Sequence, residues 1–528
     1  MNQEPKPARV IEPALERLDT AFCSIVNARP DAPLIWFEGR SMTRSEFARA
    51  AFRVAGKLKN DGVSRGSRVC IIGQNSDCYL ICVVACLLIG AVATPLNWRG
   101  VLADHNFIIE DSEASLVLAD QPFFDQLQEL DSPVGIRDMH QTVASCMSGD
   151  GKHDVEFAAM APLTLESVAL QIYTSGTTGR PKGAMLTHGS MNRALHFDTD
   201  YRPAYLRIAD GESVLISLPL FHIGGLEFAL RYILNGGHCV IQRQFSTGEF
   251  LDLIDTQGVE VIGLVPTMLS MILKQGAERN IDFSNVKTVH YGAAPIPADL
   301  LKQALEVIGA DFVQSYGLSE TGGGVVFLAP SEHDPEFPEN LRSTGRPMPG
   351  VELRIETLEG KEAATDEPGE ILLRGSFVMK GYWKLESATS EAIDRDGWFH
   401  TGDIGTLNER GLLFIKDRKK EMIVSGGENI YPAELESALY NHPYVADVAV
   451  VGIPDDHWGE KVHAAIVLKD GCELTYDEFA AWARERVAGF KIPASIEIVS
   501  ALPLGPSGKV LRREIRAPFW NDRERLVN

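Results

Sequence analysis

Residues Tyr173–Gly183 read YTSGTTGRPKG. Four of these eleven residues are Ser or Thr, three are Gly, and one Arg and one Lys complete the charge. Ahead of the stretch, Ser167–Tyr173 (SVALQIY) predicts a short buried strand; behind it, Ala184–Leu195 predicts a helix. A strand entering a Gly/Ser/Thr loop before a helix is a phosphate cradle. Glycine lets backbone approach an anion, amides and hydroxyls donate to its oxygens, and lysine adds a point charge. The pattern is not G-x-x-x-x-G-K-S/T, because Pro181 stands five residues after Gly176.

With 528 residues the chain is too long for one core, and length alone predicts two to four domains. Its 50 Lys and Arg against 72 Asp and Glu give a net charge of −22, which disfavours nucleic acid as a partner. The cysteines show no CxxC or Cys/His metal spacing. Cys78, Cys82 and Cys86 fall on one helical face inside YLICVVACLLIGAVATPLN, and read as small core residues. That stretch has about sixteen apolar residues, short of the roughly 20 that span a bilayer, so no integral membrane segment is expected. The start (MNQEPKPARV) has no apolar signal core and the end (RLVN) is no peroxisomal tripeptide. The expectation is a cytoplasmic protein with free thiols.

Outward from the loop, segments alternate. A helix is predicted over Ile11–Val26, a strand pair over 34–40, and a helix from Thr43 with Glu46 completing a capping box. Strands at 68–73, 91–97 and 115–120 alternate with helices, and 145–165 reads as an irregular connection. A second run from 213 to 322 repeats the alternation. Both predict mostly parallel sheets covered on two faces. In such sheets ligands bind beyond the carboxyl ends of the strands, so His222, Ala293, Tyr316 and Glu320 converge on one crevice. From 343 to 415 short strands (VELRIE, GEILLRG, FVMKGYW, GLLFIK) predict a small β-subdomain or barrel. After the charged joint DRKKE (417–421) a compact α+β unit follows.

The crevice strings carry usable chemistry. YGLSE (316–320) offers a ring for a purine face and, in Glu320, a carboxylate for Mg²⁺ held by phosphate oxygens. YGAAP (291–295) is a small-residue turn against which a flat base can lie. WFHTGD (398–403) places Asp403 where it can accept ribose hydroxyls, with Arg418 fifteen residues on. GPSGKVLRR (505–513) sets Lys509 on a Pro/Ser/Gly stretch.

These strings, with PLFHIGG, DRKK and SGGENIYPAELE, follow one another in the order of the adenylate-forming (AMP-binding) superfamily, and the chain resembles its acyl-CoA synthetases over about residues 20 to 515. The resemblance implies an α/β fold: a large N-terminal AMP-binding domain (1–419) of two α/β subdomains and a small β-subdomain, with a small mobile α+β C-terminal domain (420–528) hinged near Lys420. It implies ATP-dependent activation of a carboxylate as acyl-AMP, then transfer to coenzyme A. Thr174, Ser175, Gly176, Thr177, Thr178, Gly179 and Lys182 would hold the phosphates. Tyr316, Gly317 and Ser319, with Gly292, Ala293 and Ala294, would seat adenine; Asp403 and Arg418 would hold ribose and Glu320 the Mg²⁺. Lys509 matches the mobile lysine that bridges acid and α-phosphate, a cation between two anions. Ser425, Gly426, Gly427 and Glu428 would line the pantetheine tunnel.

The acid pocket is expected from His222, Ile223, Gly224 and Gly225 together with Gly292, Gly317 and Gly322, the glycines making room. Apart from His222 and Glu227 it offers no charge, so an apolar monocarboxylic acid is expected, medium- to long-chain fatty or aryl or alicyclic. The alternative is a stand-alone adenylation enzyme that loads a carrier protein. A homodimer is among the assemblies this reading admits.

Overall fold

The computed structural model describes residues 16–130, 134–148, 163–174, 180–195, 203–294, 296–334, 336–504 and 510–520. By contacts the chain divides into two units. One comprises 1–353 with 373–399, the other 354–372 with 400–528.

The first unit holds two large sheets. A nine-stranded sheet runs in the order Arg346–Pro347, Gly323–Leu328, Asp311–Leu318, Thr288–Gly292, Val261–Leu264, Ser213–Ile216, His238–Ile241, Pro33–Phe37, Arg40–Thr43. The strands from Asp311–Leu318 through Pro33–Phe37 are parallel, so their carboxyl ends share one edge. A seven-stranded sheet runs Gly381–Tyr382, Lys182–Thr187, Val168–Thr174, Val92–Leu96, Arg68–Ile72, Ala114–Ala119, Gly135–Asp138. Helix Arg44–Asn60 starts at the expected capping box: Glu46 N–H donates to Thr43 Oγ1 and its carboxylate accepts the Thr43 N–H at 2.8 Å. The Cys78–Cys86 stretch is helix Asp77–Ile89, buried at every residue and closed by Gly90 at φ 70°. All eight thiols are free.

The phosphate-loop flank differs from expectation. Lys182–Thr187 is a strand, and the helix begins only at His188. Thr174 pairs with Lys182 and Ile172 with Ala184, so the loop joins two antiparallel strands. The reason is a period of two: Ala184 and Leu186 are buried while Met185 is half-exposed. Thr187 and Ser190 then exchange side-chain and backbone hydrogen bonds at 3.0 and 2.9 Å, a local start signal for the helix. In FVMKGYW only Gly381–Tyr382 is a strand, and it pairs with Met185 and Ala184 on the sheet edge. The expected helix over Ile11–Val26 is observed as Leu18–Ala28, residues 1–15 lying outside the described residues. The connection at 145–165 is helical to Ser148, and 149–162 lies outside the described residues.

In the second unit the expected barrel is a four-stranded sheet, Glu352–Glu356, Gly369–Arg374, Phe399–Leu407, Leu413–Arg418, its first three strands beginning or ending in the first unit. A five-stranded sheet follows, Glu428–Ile430, Ile423–Ser425, Gly459–Leu468, Val445–Asp455, with Ser495–Ile498 beside Gly459–Leu468. Helices Pro432–Leu439 and Tyr476–Arg484 bury Leu435, Leu439, Phe479 and Ala483 in this sheet's core.

Candidate active site

The first unit gathers its residues at the carboxyl edge of the nine-stranded sheet. His222 caps helix Ile223–Leu234 and packs on Phe221, ring centroids 4.2 Å apart. Ala293 follows strand Thr288–Gly292 with φ 64°, a left-handed conformation that a small side chain tolerates best. Tyr316 and Gly317 lie inside strand Asp311–Leu318 rather than on a loop, and Tyr316 is buried. A 3-10 turn, Ser319–Thr321, carries Glu320.

The expected glycine roles change. A Cβ on Gly225 would stand 2.3 Å from Pro219 O, on Gly292 2.4 Å from Ser315 O, and on Gly317 1.9 Å from Gly323 O. Backbone close approach demands these glycines, and they open no space. Gly322 is needed for φ 68°. Gly224 faces open space, with nothing within 4 Å of its Cβ position.

Glu320 is buried, and the Tyr382 hydroxyl donates to its Oε1 at 2.8 Å. The Tyr382 ring lies under Lys182, Nζ 5.1 Å from the centroid. One tyrosine thus joins the lysine of the phosphate-loop hairpin to the carboxylate of the other sheet. Sequence reasoning missed Tyr382, because GYW carries no sign of a partner more than sixty residues away. Thr174 and Lys182 are cross-strand neighbours at the mouth of the loop; Ser175, Gly176, Thr177, Thr178 and Gly179 lie outside the described residues. Beside the hairpin, Tyr173 donates to Asp111 Oδ2 at 2.6 Å. Burial first, and then this hydrogen bond, push its phenol well above the ordinary range.

The second unit holds the remaining residues. Asp403 and Arg418 are cross-strand neighbours, Arg418 Nε 2.7 Å from Asp403 Oδ1. Asp403 is 4% exposed, while the Arg418 side chain is 49% exposed. Lys420 stands in a turn between strands Leu413–Arg418 and Ile423–Ser425. Ser425 and Glu428 close a hairpin whose tip, Gly426 and Gly427, has φ of 60° and 87°; a Cβ on Gly426 would stand 2.6 Å from the Trp458 ring. Lys509 lies outside the described residues.

Two α/β sheets joined by an acidic–lysine–tyrosine cluster, and an α+β unit carrying a paired Asp–Arg, define an adenylate-forming enzyme. The AMP-binding enzyme family matches residues 23–383, and its C-terminal domain family matches 434–509. The fatty acid–acyl-carrier-protein ligase ScoC of Streptomyces coeruleorubidus is 36% identical over 98% of this chain and all of its own length. Feruloyl-CoA synthase of an Amycolatopsis species is 37% identical over 93% of this chain and 96% of its own. The o-succinylbenzoate CoA synthetase of Bacillus subtilis, in complex with its acyl-adenylate intermediate, superposes with a TM-score of 0.84 at 33% identity, covering 94% of this chain and 97% of that one. The same synthetase is known with ATP and magnesium. This chain belongs to the AMP-binding enzyme family. It is an AMP-forming acid–thiol ligase of the acyl-CoA synthetase class. No helix among the described residues is long and apolar enough to cross a membrane.

Proposed function

We propose that the enzyme activates an apolar monocarboxylic acid, aryl, alicyclic or medium- to long-chain fatty, as acyl-AMP and then transfers the acyl group to coenzyme A. One observation carries the substrate class. Glu227, two residues past the His222–Gly225 wall, is engaged by Arg231, Arg231 Nε standing 3.0 Å from Glu227 Oε1 with both side chains 8% exposed. Each charge is held by the other, so an incoming ammonium or second carboxylate would have to break a buried pair. The similarity to a feruloyl-CoA synthase and to a fatty-acid ligase supports both branches. The carrier-protein ligase among the relatives also supports a second reading, in which a phosphopantetheinyl carrier replaces coenzyme A.

In this reading Thr174–Gly179 and Lys182 bind the phosphates, and Tyr316 with residues 292–294 seats adenine. Gly317 and Ser319 complete that wall, while Asp403 and Arg418 hold ribose. Glu320 offers Mg²⁺ a hard oxygen, which suits that ion's preference for few carboxylates alongside phosphate oxygens. Magnesium there would neutralise the departing pyrophosphate. Lys509 bridges acid and α-phosphate, and residues 425–428 line the pantetheine path. The chain works as an AMP-binding domain (1–419) and a mobile domain (420–528) turning about Lys420. The turn position of Lys420 supports that hinge. We place the enzyme in the cytoplasm, which its eight unpaired thiols support.

A pyrophosphate-release assay over a panel of acids tests the substrate class, with coenzyme A and a carrier protein compared as acceptors. Preferential turnover of an amino acid, a dicarboxylate or acetate would overturn it.

A further inference from the structure

The second unit contains an ion cluster that joins the turn at Lys420 to the chain just beyond Lys509. Arg512 opens the short helix Arg512–Arg516. Its Nε donates to Glu436 Oε1 at 3.0 Å and one terminal nitrogen to Glu436 Oε2 at 2.5 Å, a two-pronged contact. Its other terminal nitrogen donates to Glu421, the residue after Lys420. The Arg512 and Glu436 side chains are only 20% and 18% exposed. Burial opposes the Arg512 charge, but the hydrogen bond and charge of Glu436, then Glu421 and Asp417, outweigh it and hold the guanidinium above its ordinary value.

Both ends of the cluster are anchored. Glu436 Oε1 also accepts the Val450 N–H at 2.8 Å, fixing helix Pro432–Leu439 to strand Val445–Asp455. Glu421 N–H donates to Arg418 O at 2.9 Å. On the other side, Leu504 pairs with Val510 in an antiparallel bridge, and Leu511 N–H donates to Pro503 O at 2.8 Å. The chain on either side of 505–509 is therefore pinned together, two residues from Arg512.

We propose that Arg512 is a positioning residue for adenylation: it ties the turn at Lys420 to the segment carrying Lys509, so that rotation in the turn delivers the lysine in a fixed register. This rests on the reading of Lys509 and Lys420 above. Lysine has one head and cannot grip two carboxylates in this fork. Without the guanidinium, Glu421 and Glu436 are two carboxylates facing one another, and the segment is released.

The test measures two half-reactions: pyrophosphate release without coenzyme A, and AMP release from preformed acyl-adenylate with it. Arg512→Ala should lower the first by about 10- to 100-fold, the scale of a misplaced catalytic group, and leave the second within threefold. Glu421→Gln, which keeps the shape and loses one arm, should move the first in the same direction by less. In a Lys509→Ala background Arg512→Ala should cost adenylation nothing further. Unchanged adenylation in both single variants, equal loss of both half-reactions in folded protein, or additive losses with Lys509→Ala would overturn the proposal. If Lys509→Ala alone leaves adenylation intact, the reading of Lys509 fails first and this proposal falls with it. Normal loss in Lys509→Ala with no loss in Arg512→Ala sinks only the role of Arg512.

Discussion

Tyr382 and Glu320 meet hydroxyl to carboxylate at 2.8 Å, although 62 residues separate them in the chain. The contact exists because Gly381–Tyr382 adds as an edge strand to Lys182–Thr187, and because Met379 N–H donates to the backbone oxygen of Glu320 at 2.8 Å. The Tyr382 ring then lies within cation–π reach of Lys182. The tyrosine therefore holds both the carboxylate proposed for Mg²⁺ and the lysine proposed for phosphate.

Tyr382→Phe removes the hydroxyl and keeps the ring. Partners that orient a metal ligand typically contribute 10- to 100-fold in affinity or activity. The apparent Mg²⁺ requirement for pyrophosphate release should rise by about tenfold, while the KM for the acid holds steady. Tyr382→Ala should cost more, since Lys182 loses its platform too. An unchanged Mg²⁺ titration in the Phe variant would refute the orienting role.

With Lys182 in the proposed phosphate-binding role, Lys182→Ala removes one positive charge from beside the departing pyrophosphate. Hydrogen bonds to charged groups contribute roughly 1.5–3 kcal/mol, so adenylation should slow by about one to two decades. Adenylation within twofold of the parent would show that the hairpin has been misassigned.

Asp403→Asn keeps the size of a nearly buried side chain but halves its capacity to accept hydrogen bonds and leaves Arg418 without its ionic partner at 2.7 Å. The KM for ATP should rise about tenfold on the arithmetic of one lost charged contact, and the KM for coenzyme A should not move. A rise confined to coenzyme A would count against the ribose assignment.

Asp417 predicts a pH effect. Burial lifts its carboxyl to about 6, against the charge of Arg512 and the N–H groups of Ala433 and Arg418, with Glu421 adding to the rise. Between about pH 4 and 6 the folded state keeps a proton that the unfolded chain has released, so this residue's contribution to stability falls as pH rises through that window. A shift from 3.8 to about 6 corresponds to about 3 kcal/mol. Unfolding by denaturant at several pH values should show parent stability declining relative to Asp417→Asn from pH 4 to 6.5, then running parallel. A constant difference would mean that the folded state binds no more protons at Asp417 than the unfolded chain does.

Lys420→Pro fixes φ near −65° in the turn. Acyl-adenylate should still form and its transfer to coenzyme A should fail, whereas Lys509→Ala should fail in adenylation and keep the transfer. The two half-reactions measured on each variant decide the matter: equal loss of both in each folded variant would exclude alternation about Lys420.

Much of this enzyme is written locally. The capping box at Thr43 and Glu46, the buried helix after Ser76 and the parallel strands ending at Gly292 and Leu318 follow from side-chain period and turn chemistry, which neighbouring residues supply. The order of motifs from YTSGTTGRPKG to GPSGKVLRR was enough to reach the family and the reaction. Tertiary pairing decided the rest. Lys182–Thr187 is a strand paired to Val168–Thr174, and a six-residue stretch with three apolar residues does not by itself choose between helix and strand. Gly225, Gly292 and Gly317 are required by backbones approaching from elsewhere, a fact invisible until those backbones are in place. Tyr382 at Glu320, and Arg512 between Glu421 and Glu436, are contacts across 62 to 91 residues of chain, set by how strands and helices stack rather than by any pattern around the residues themselves.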